Sequence, residues 1–349
     1  MKSQSIVEYG EALQETDSDT PTPQGTQVLI KVTHCGVCHS DVHLHDGYFS
    51  MGGDNKLDVR GGRKVPFTLG HEIEGEVIGV GPDAEGVKVG DQRVIYPWIG
   101  CGDCPTCNRD EEQLCNKPQQ IGIQVNGGYS THVMVPHSRY VLDYEGVPKG
   151  LAATYMCSGL TAYSSMKKLG AISDQERVMV VGLGGVGMMG LQFAKAMFGQ
   201  APLGADVSPA TLEAGLKAGA HQTYNPAQDG IVKQILKDTN GGVPAAVDFV
   251  GSEASLAFAS SIVRKGGKVI VVGLFGGALT MPIPLFPMRA ISIGGAYVGS
   301  LGETHEMMAL VKAGKIDPIP VEERPLDQAT KSLQDLRDGN IVGRVVLKP

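Results

Sequence analysis

The sequence predicts an α/β fold class: a doubly wound parallel sheet set late in a chain whose remainder is β-rich. Three observations carry that expectation. Strand-like and helix-like segments alternate between residues 151 and 295, a G-x-G-x-x-G run opens one of the helices, and the first 150 residues read as short strands broken by glycine and proline. At 349 residues the chain also exceeds the size, about 250 to 300 residues, at which one core stops growing, so two domains are expected.

In chain order, "QVLIKVT" alternates apolar and polar residues and reads as a strand, which places Cys38 where the strand gives way to a loop or helix start. The apolar strand "RVMVV" runs into "GLGGVG", followed by the helically spaced "MMGLQFAKAMFG". In such a turn Gly182 makes the sharp bend, Gly184 lets the backbone approach a pyrophosphate, and Gly187 lets helix and strand pack closely; Gly185 and Val186 occupy the variable positions. The helix start then presents free N–H groups to phosphate.

Asp206 lies nineteen residues beyond Gly187, in "LGADVSP". An acid there accepts hydrogen bonds from ribose hydroxyls and repels a 2′-phosphate, favouring NAD over NADP; the alternative is a turn or cap before the helix "SPATLEAGLKAGA". Pro202 shortens the strand before it. Then come "AAVDFVG" as strand, "SEASLAFASSIV" as helix, and "GKVIVVGLFG" and "AISIGGAYVG" as strands. The final "VGRVVLKP" reads as a strand that returns to the beginning of the chain. The expected division is therefore 1–150 with 296–349 as the β-rich catalytic domain, and 151–295 as the nucleotide domain.

A formal charge of -7 leaves no basic stripe for phosphates, which argues against nucleic acid or an anionic membrane as partner and in favour of small molecules. The opening "MKSQSIVEYG" holds no apolar signal run, and no segment approaches eighteen consecutive apolar residues, so a cytoplasmic, thiol-reducing location is expected.

Four of the seven cysteines crowd into "CGDCPTCNRDEEQLC" at C-x2-C-x2-C-x7-C spacing. In a reducing compartment that pattern reads as a closed structural zinc site of Cys101, Cys104, Cys107 and Cys115, in a lobe over about 97–117, rather than as two disulfides or four unconnected thiols. Cys38, His71 and Cys157 offer two thiolates and one imidazole, the mixed set that leaves a fourth zinc position for a reactant. Two zinc ions per chain follow. Asp41 or Glu72 is available to accept the other ring N–H of His71, and Glu72 is also an alternative ligand. Cys35 is the spare thiol.

The motifs "GVCHSDVH", "GHE", the four-cysteine lobe, "CSGLTAY", "GLGGVG" and "GADVS" occur together and in order, and in this the chain resembles the zinc-dependent medium-chain alcohol dehydrogenases over essentially its whole length. The resemblance implies a GroES-like catalytic domain and a Rossmann domain with a cleft between them. It implies the zinc ligands above, a proton relay of Ser40 and His43, cofactor pyrophosphate contacts from His39 and Arg344, and Thr161 beside the nicotinamide. The implied activity is reversible NAD-linked oxidation of primary or secondary alcohols, hydrophobic or aromatic, to aldehydes or ketones, by a homo-oligomer of two or four chains. A polyol or amino-alcohol dehydrogenase is the alternative, although polyol enzymes tend to carry Glu where this chain has Cys157; so is a non-catalytic zinc- and nucleotide-binding relative. Phe49 and Trp98 stand as candidate substrate-pocket aromatics. The segment over 47–66 is longer and more charged than is typical, and either reshapes the cleft entrance or extends a surface loop.

Overall fold

A computed structural model describes residues 1–349. Its later half is built on a six-stranded, wholly parallel sheet in the spatial order Gln222–Tyr224, Leu203–Ala205, Met179–Val181, Val243–Asp248, Val263–Val271, Ser292–Gly295. The order reverses between Met179–Val181 and Val243–Asp248, and a doubly wound sheet opens its ligand crevice at the carboxyl ends of such a pair. The strand bearing the glycine run sits at that point. Alternation along it feeds both faces: Met179 and Val181 enter one apolar cluster and Val180 the other. The strand after Pro202 is three residues long.

The β-rich part is built on a seven-stranded sheet whose centre is the antiparallel pair Val28–Gly36 and Glu72–Val80. At nine residues each they are longer than the short strands expected, because Gly75 and Gly79 lie within the second strand instead of ending it. A Cβ at Gly75 would stand 2.3 Å from the Lys31 carbonyl oxygen, so the glycine is a packing requirement. Arg344–Lys348 returns to pair antiparallel with Val28–Gly36, with Val346 opposite Gly36 and Leu347 opposite Cys35. The last residues of the chain thus complete its first large sheet.

The segment over 47–66 contains a two-stranded hairpin, Tyr48–Ser50 with Lys56–Asp58. Its tip reaches the other half of the molecule: a Cβ on Gly52 would lie 3.1 Å from the Gly277 carbonyl carbon. It is therefore a bridge between the two parts as well as a surface loop. No helix is long and apolar enough to cross a membrane.

Candidate active site

Three side chains from distant parts of the chain converge where the two parts meet. Cys38 caps the helix His39–Asp46, and Asp41, in that helix's first turn, accepts the Cys38 N–H at 2.9 Å. Fixed in this way, and also accepting the Tyr129 hydroxyl at 3.1 Å, the carboxylate lies 3.2 Å from His71 Nδ1. His71 stands just before Glu72–Val80, on the left-handed bend of Gly70. Cys157 sits in a π-helical turn, Tyr155–Gly159, between the helices Leu151–Thr154 and Leu160–Lys167; such turns recur at functional sites.

The ligand atoms of Cys38, His71 and Cys157 lie within 4.8 Å of one another, all three residues buried, with the two sulfurs 4.0 Å apart. A disulfide needs about 2.05 Å. Zinc–sulfur bonds of about 2.3 Å arranged tetrahedrally put two sulfurs about 3.8 Å apart, close to what is found. His71 Nε2 is buried without a hydrogen-bond partner, and an orphaned acceptor is costly unless something coordinates it. Asp41 on the Nδ1 side leaves the Nε2 lone pair for that purpose. The donors fit a divalent metal, and three protein donors leave one position open.

The local charges agree. The hydrogen bond from Cys157 pulls the Cys38 thiol well below its usual range despite burial, and the same contact pushes Cys157 up. Burial opposes charge on His71, but Asp41 outweighs it and raises that imidazole. The lowered Cys38 favours the thiolate, which is the form that binds a metal.

In the four-cysteine lobe the sulfur separations are 3.9 Å for Cys101–Cys107, 3.5 Å for Cys104–Cys107 and 3.8 Å for Cys104–Cys115. All seven cysteines are free thiols. The N–H groups of Cys101 and Lys117 point at Cys115 Sγ, and the N–H of Cys107 at Cys104 Sγ, as suits thiolates. That last contact lowers Cys104 to about 6. Four sulfurs around one centre fit a closed site with no vacancy for chemistry.

At the glycine turn, Gly182 takes φ +84°, and a Cβ on Gly187 would fall 1.7 Å from the Gly182 carbonyl oxygen. Gly184 caps the helix Gly185–Met197 and faces open space; Val186, in its first turn, is partly buried against the core. Asp206 follows Leu203–Ala205, and its two oxygens accept the N–H groups of Leu183 and Ser208 at 2.7 and 2.9 Å. It thus tethers the turn, while remaining part-exposed at the carboxyl end of the sheet. Sequence reasoning missed Asp248, a buried acid that accepts the N–H groups of Val250 and Gly251 and the Ser255 hydroxyl, and so holds Val250 against Gly182. Its only signal was its place in the middle of "AAVDFVG", where the strand Val243–Asp248 ends.

Glu72 differs from one expectation. Asp41 is the acid beside His71, whereas Glu72 accepts the Ser158 N–H and hydroxyl at 3.2 and 2.7 Å and pairs with Arg344. It is not among the three clustered donors. The reason is steric: Gly36 stands opposite, and any side chain there would collide with the Glu72 carboxylate, 1.9 Å from where its Cβ would be. Arg344 is buried and crosses the start of the glycine-turn helix, 2.6 Å from where a Gly185 Cβ would stand, with its Nε lacking a partner.

Ser40 lies in the first turn of its helix, its Oγ 3.8 Å from Cys38 Sγ. His43, three residues on, sets its ring 4.7 Å from that of Phe49 on the hairpin, tilted by 34°, and burial with the neighbouring His39 lowers its pKa. His39 is exposed and Thr161 buried, four residues past Cys157. Trp98 is buried rather than presented: its Nε1 donates to the Met156 carbonyl at 2.8 Å and its ring lies between His71, at 5.4 Å, and Tyr297, at 5.8 Å. Tyr297, 45% exposed, carries the accessible aromatic surface there and was not singled out from sequence. Cys35 is buried outside both clusters.

Residues 24–146 match the alcohol dehydrogenase GroES-like domain and residues 185–313 the zinc-binding dehydrogenase family. An NAD-dependent alcohol dehydrogenase of Sulfurisphaera tokodaii is 36% identical over 350 residues, covering 100% of both chains. The crystal structure of the alcohol dehydrogenase from Aeropyrum pernix superposes over 100% of both chains with a TM-score of 0.89 at 29% identity. The D-arabinose dehydrogenase from Sulfolobus solfataricus does so with a TM-score of 0.84 at 25% identity, again over 100% of both chains. With a relative 36% identical along the whole chain, both family domains matched and a site with these donors, the chain belongs to the zinc-dependent medium-chain alcohol dehydrogenases.

Proposed function

We propose that the protein catalyses reversible NAD-linked oxidation of primary or secondary alcohols, hydrophobic or aromatic, to aldehydes or ketones. The observation that carries this reading is the buried Cys38, His71 and Cys157 cluster with an unpartnered Nε2, set against the glycine turn through Glu72 and Arg344. When bound, zinc supplies Lewis acidity toward the substrate oxygen and NAD supplies the hydride acceptor.

The chain's own residues do the rest. Ser40, beside Cys38, takes the hydroxyl proton; His43, on the same helix face three residues on, accepts it in turn and releases it to solvent. Thr161 bounds the nicotinamide position, and Arg344 with His39 faces the pyrophosphate at the glycine turn. The second zinc belongs to the four-cysteine lobe, where it acts as a cross-link. Asp206 selects NAD over NADP by repelling a 2′-phosphate. Residues 1–150 with 296–349 form the catalytic domain and 151–295 the nucleotide domain.

Phe275, Ile283 and Met288 are 71, 80 and 69% exposed, and they lie in the segment that leads from the strand Val263–Val271 to the edge strand Ser292–Gly295. An apolar surface beside an unpaired sheet edge supports a homo-oligomer. Seven free thiols support a cytoplasmic setting.

The test is a panel of aliphatic, aromatic and secondary alcohols with D-arabinose, scored by NADH absorbance and repeated with NADP. The expected outcome is turnover of apolar alcohols with NAD. Turnover of the sugar alone would replace the substrate class, and equal rates with NADP would remove the role given to Asp206.

A further inference from the structure

Two acids on one face of the strand Glu72–Val80 reach the same segment. Glu72 holds Ser158, immediately after Cys157. Glu74 is fully buried and holds the beginning of that segment: its Oε2 accepts the Gly150 N–H at 2.7 Å, and its Oε1 accepts the Tyr144 hydroxyl at 2.8 Å. His34 stands directly opposite Glu74 across the strand pair, Nδ1 3.4 Å from Oε1, brought there by a register shift between Val32 and His34. His34 Nε2 is in turn 3.4 Å from Glu323.

Burying a carboxylate is costly, and an apolar residue would fill the position. What the acid adds is direction. Gly150, at φ +76°, is packed against Val346 and His34 and opens the continuous helical run that bears Cys157. That run changes from α to π geometry at Tyr155–Gly159, so its own backbone pattern fixes Cys157 less firmly than a regular helix would. We propose that Glu74, oriented by Tyr144 and His34, is a positioning residue for Cys157, fixing the far end of the segment whose near end Glu72 holds.

This rests on the reading that Cys157 is a metal ligand, and the test separates the two. Holoenzyme substituted with cobalt(II) is compared with its Cys157→Ser form, and the difference spectrum isolates the thiolate-to-cobalt band of the catalytic site. Absence of that band in the wild type overturns the metal reading beneath the proposal. Given the band, Glu74→Ala is expected to shift or broaden it and to lower kcat by about 10- to 100-fold, the scale of lost outer support at metal sites. Glu74→Gln, which keeps an acceptor for Gly150, is expected to restore both. A Glu74→Ala enzyme that melts earlier but keeps the wild-type band and kcat overturns the positioning role. Should that variant not fold, Glu74→Asp carries the same expectations and the same overturning outcome, since it keeps the charge but withdraws the oxygens by one methylene.

Discussion

Glu72 and Arg344 form an ion pair sealed from solvent, and it joins the strand beside His71 to the helix that opens the glycine turn. Burial raises the Glu72 carboxyl, with Arg344 opposing that rise. Removing one partner leaves a buried charge uncompensated, which costs about 3–5 kcal/mol, far more than the net worth of the intact pair. Glu72→Ala is therefore expected to lose stability on that scale in denaturant unfolding and to weaken NAD binding, since Arg344 loses its anchor. Wild-type NAD affinity measured by calorimetry in that variant would contradict the link.

The two glycines flanking the turn make opposite predictions. Gly187→Ala would force a methyl to 1.7 Å from the Gly182 carbonyl, and overpacking of that kind costs about 1–3 kcal/mol. It should lower the melting temperature and NAD affinity together. A Cβ on Gly184 meets nothing within 4 Å, so Gly184→Ala should melt like the wild type yet bind NAD more weakly, because the methyl occupies space left for the pyrophosphate. Thermal melts with cofactor titrations separate the two cases.

The periodic elements were legible because burial on two faces leaves continuous apolar runs such as Met179–Val181, and a sharp strand-to-helix bend demands glycine at Gly182. The zinc candidates were legible because thiols and imidazoles are few. What sequence did not carry was partner choice between chemically equal neighbours. Asp41 and Glu72 are both acids near His71, and only the cavity opposite Gly36 decides that Glu72 turns to Ser158 and Arg344. The helix Ile231–Asp238 and the strand Gln222–Tyr224 escaped for another reason: each is short, and the strand is only partly buried. The buried Trp98 packs edge-on against Tyr297 and bonds the Met156 carbonyl, both distant in sequence, so no local pattern announces its burial.

The two proposed zinc sites should come apart experimentally. Cys157→Ala removes a donor from the three-membered cluster and should cost one of two zinc equivalents and turnover, with NAD binding retained. Cys104→Ser opens the closed lobe, whose sequence offers little apolar surface to hold it together. It should cost the other equivalent and lower the melting temperature while leaving kcat per folded molecule near the wild type. Elemental analysis with thermal unfolding checks both. A variant that lost both metals at once would show that the sites are not independent.

His43 gives the clearest pH dependence. Burial, with His39 adding to it, sets the His43 pKa below its ordinary 6.5, so the ring is neutral at pH 7 and able to accept a proton. Below the folded-state value it is charged and cannot, so alcohol oxidation should fall on the acid side as pH drops through that value. Stability follows the same sign: the unfolded chain binds the proton more readily, so this contribution is present above 6.5 and lost as pH falls through the lowered pKa. His43→Gln cannot titrate, and should reduce kcat/KM at neutral pH by on the order of 10²-fold while removing that acid limb. A pH profile of kcat/KM decides it: an unchanged limb in the variant assigns the titration to another group and takes His43 out of the relay.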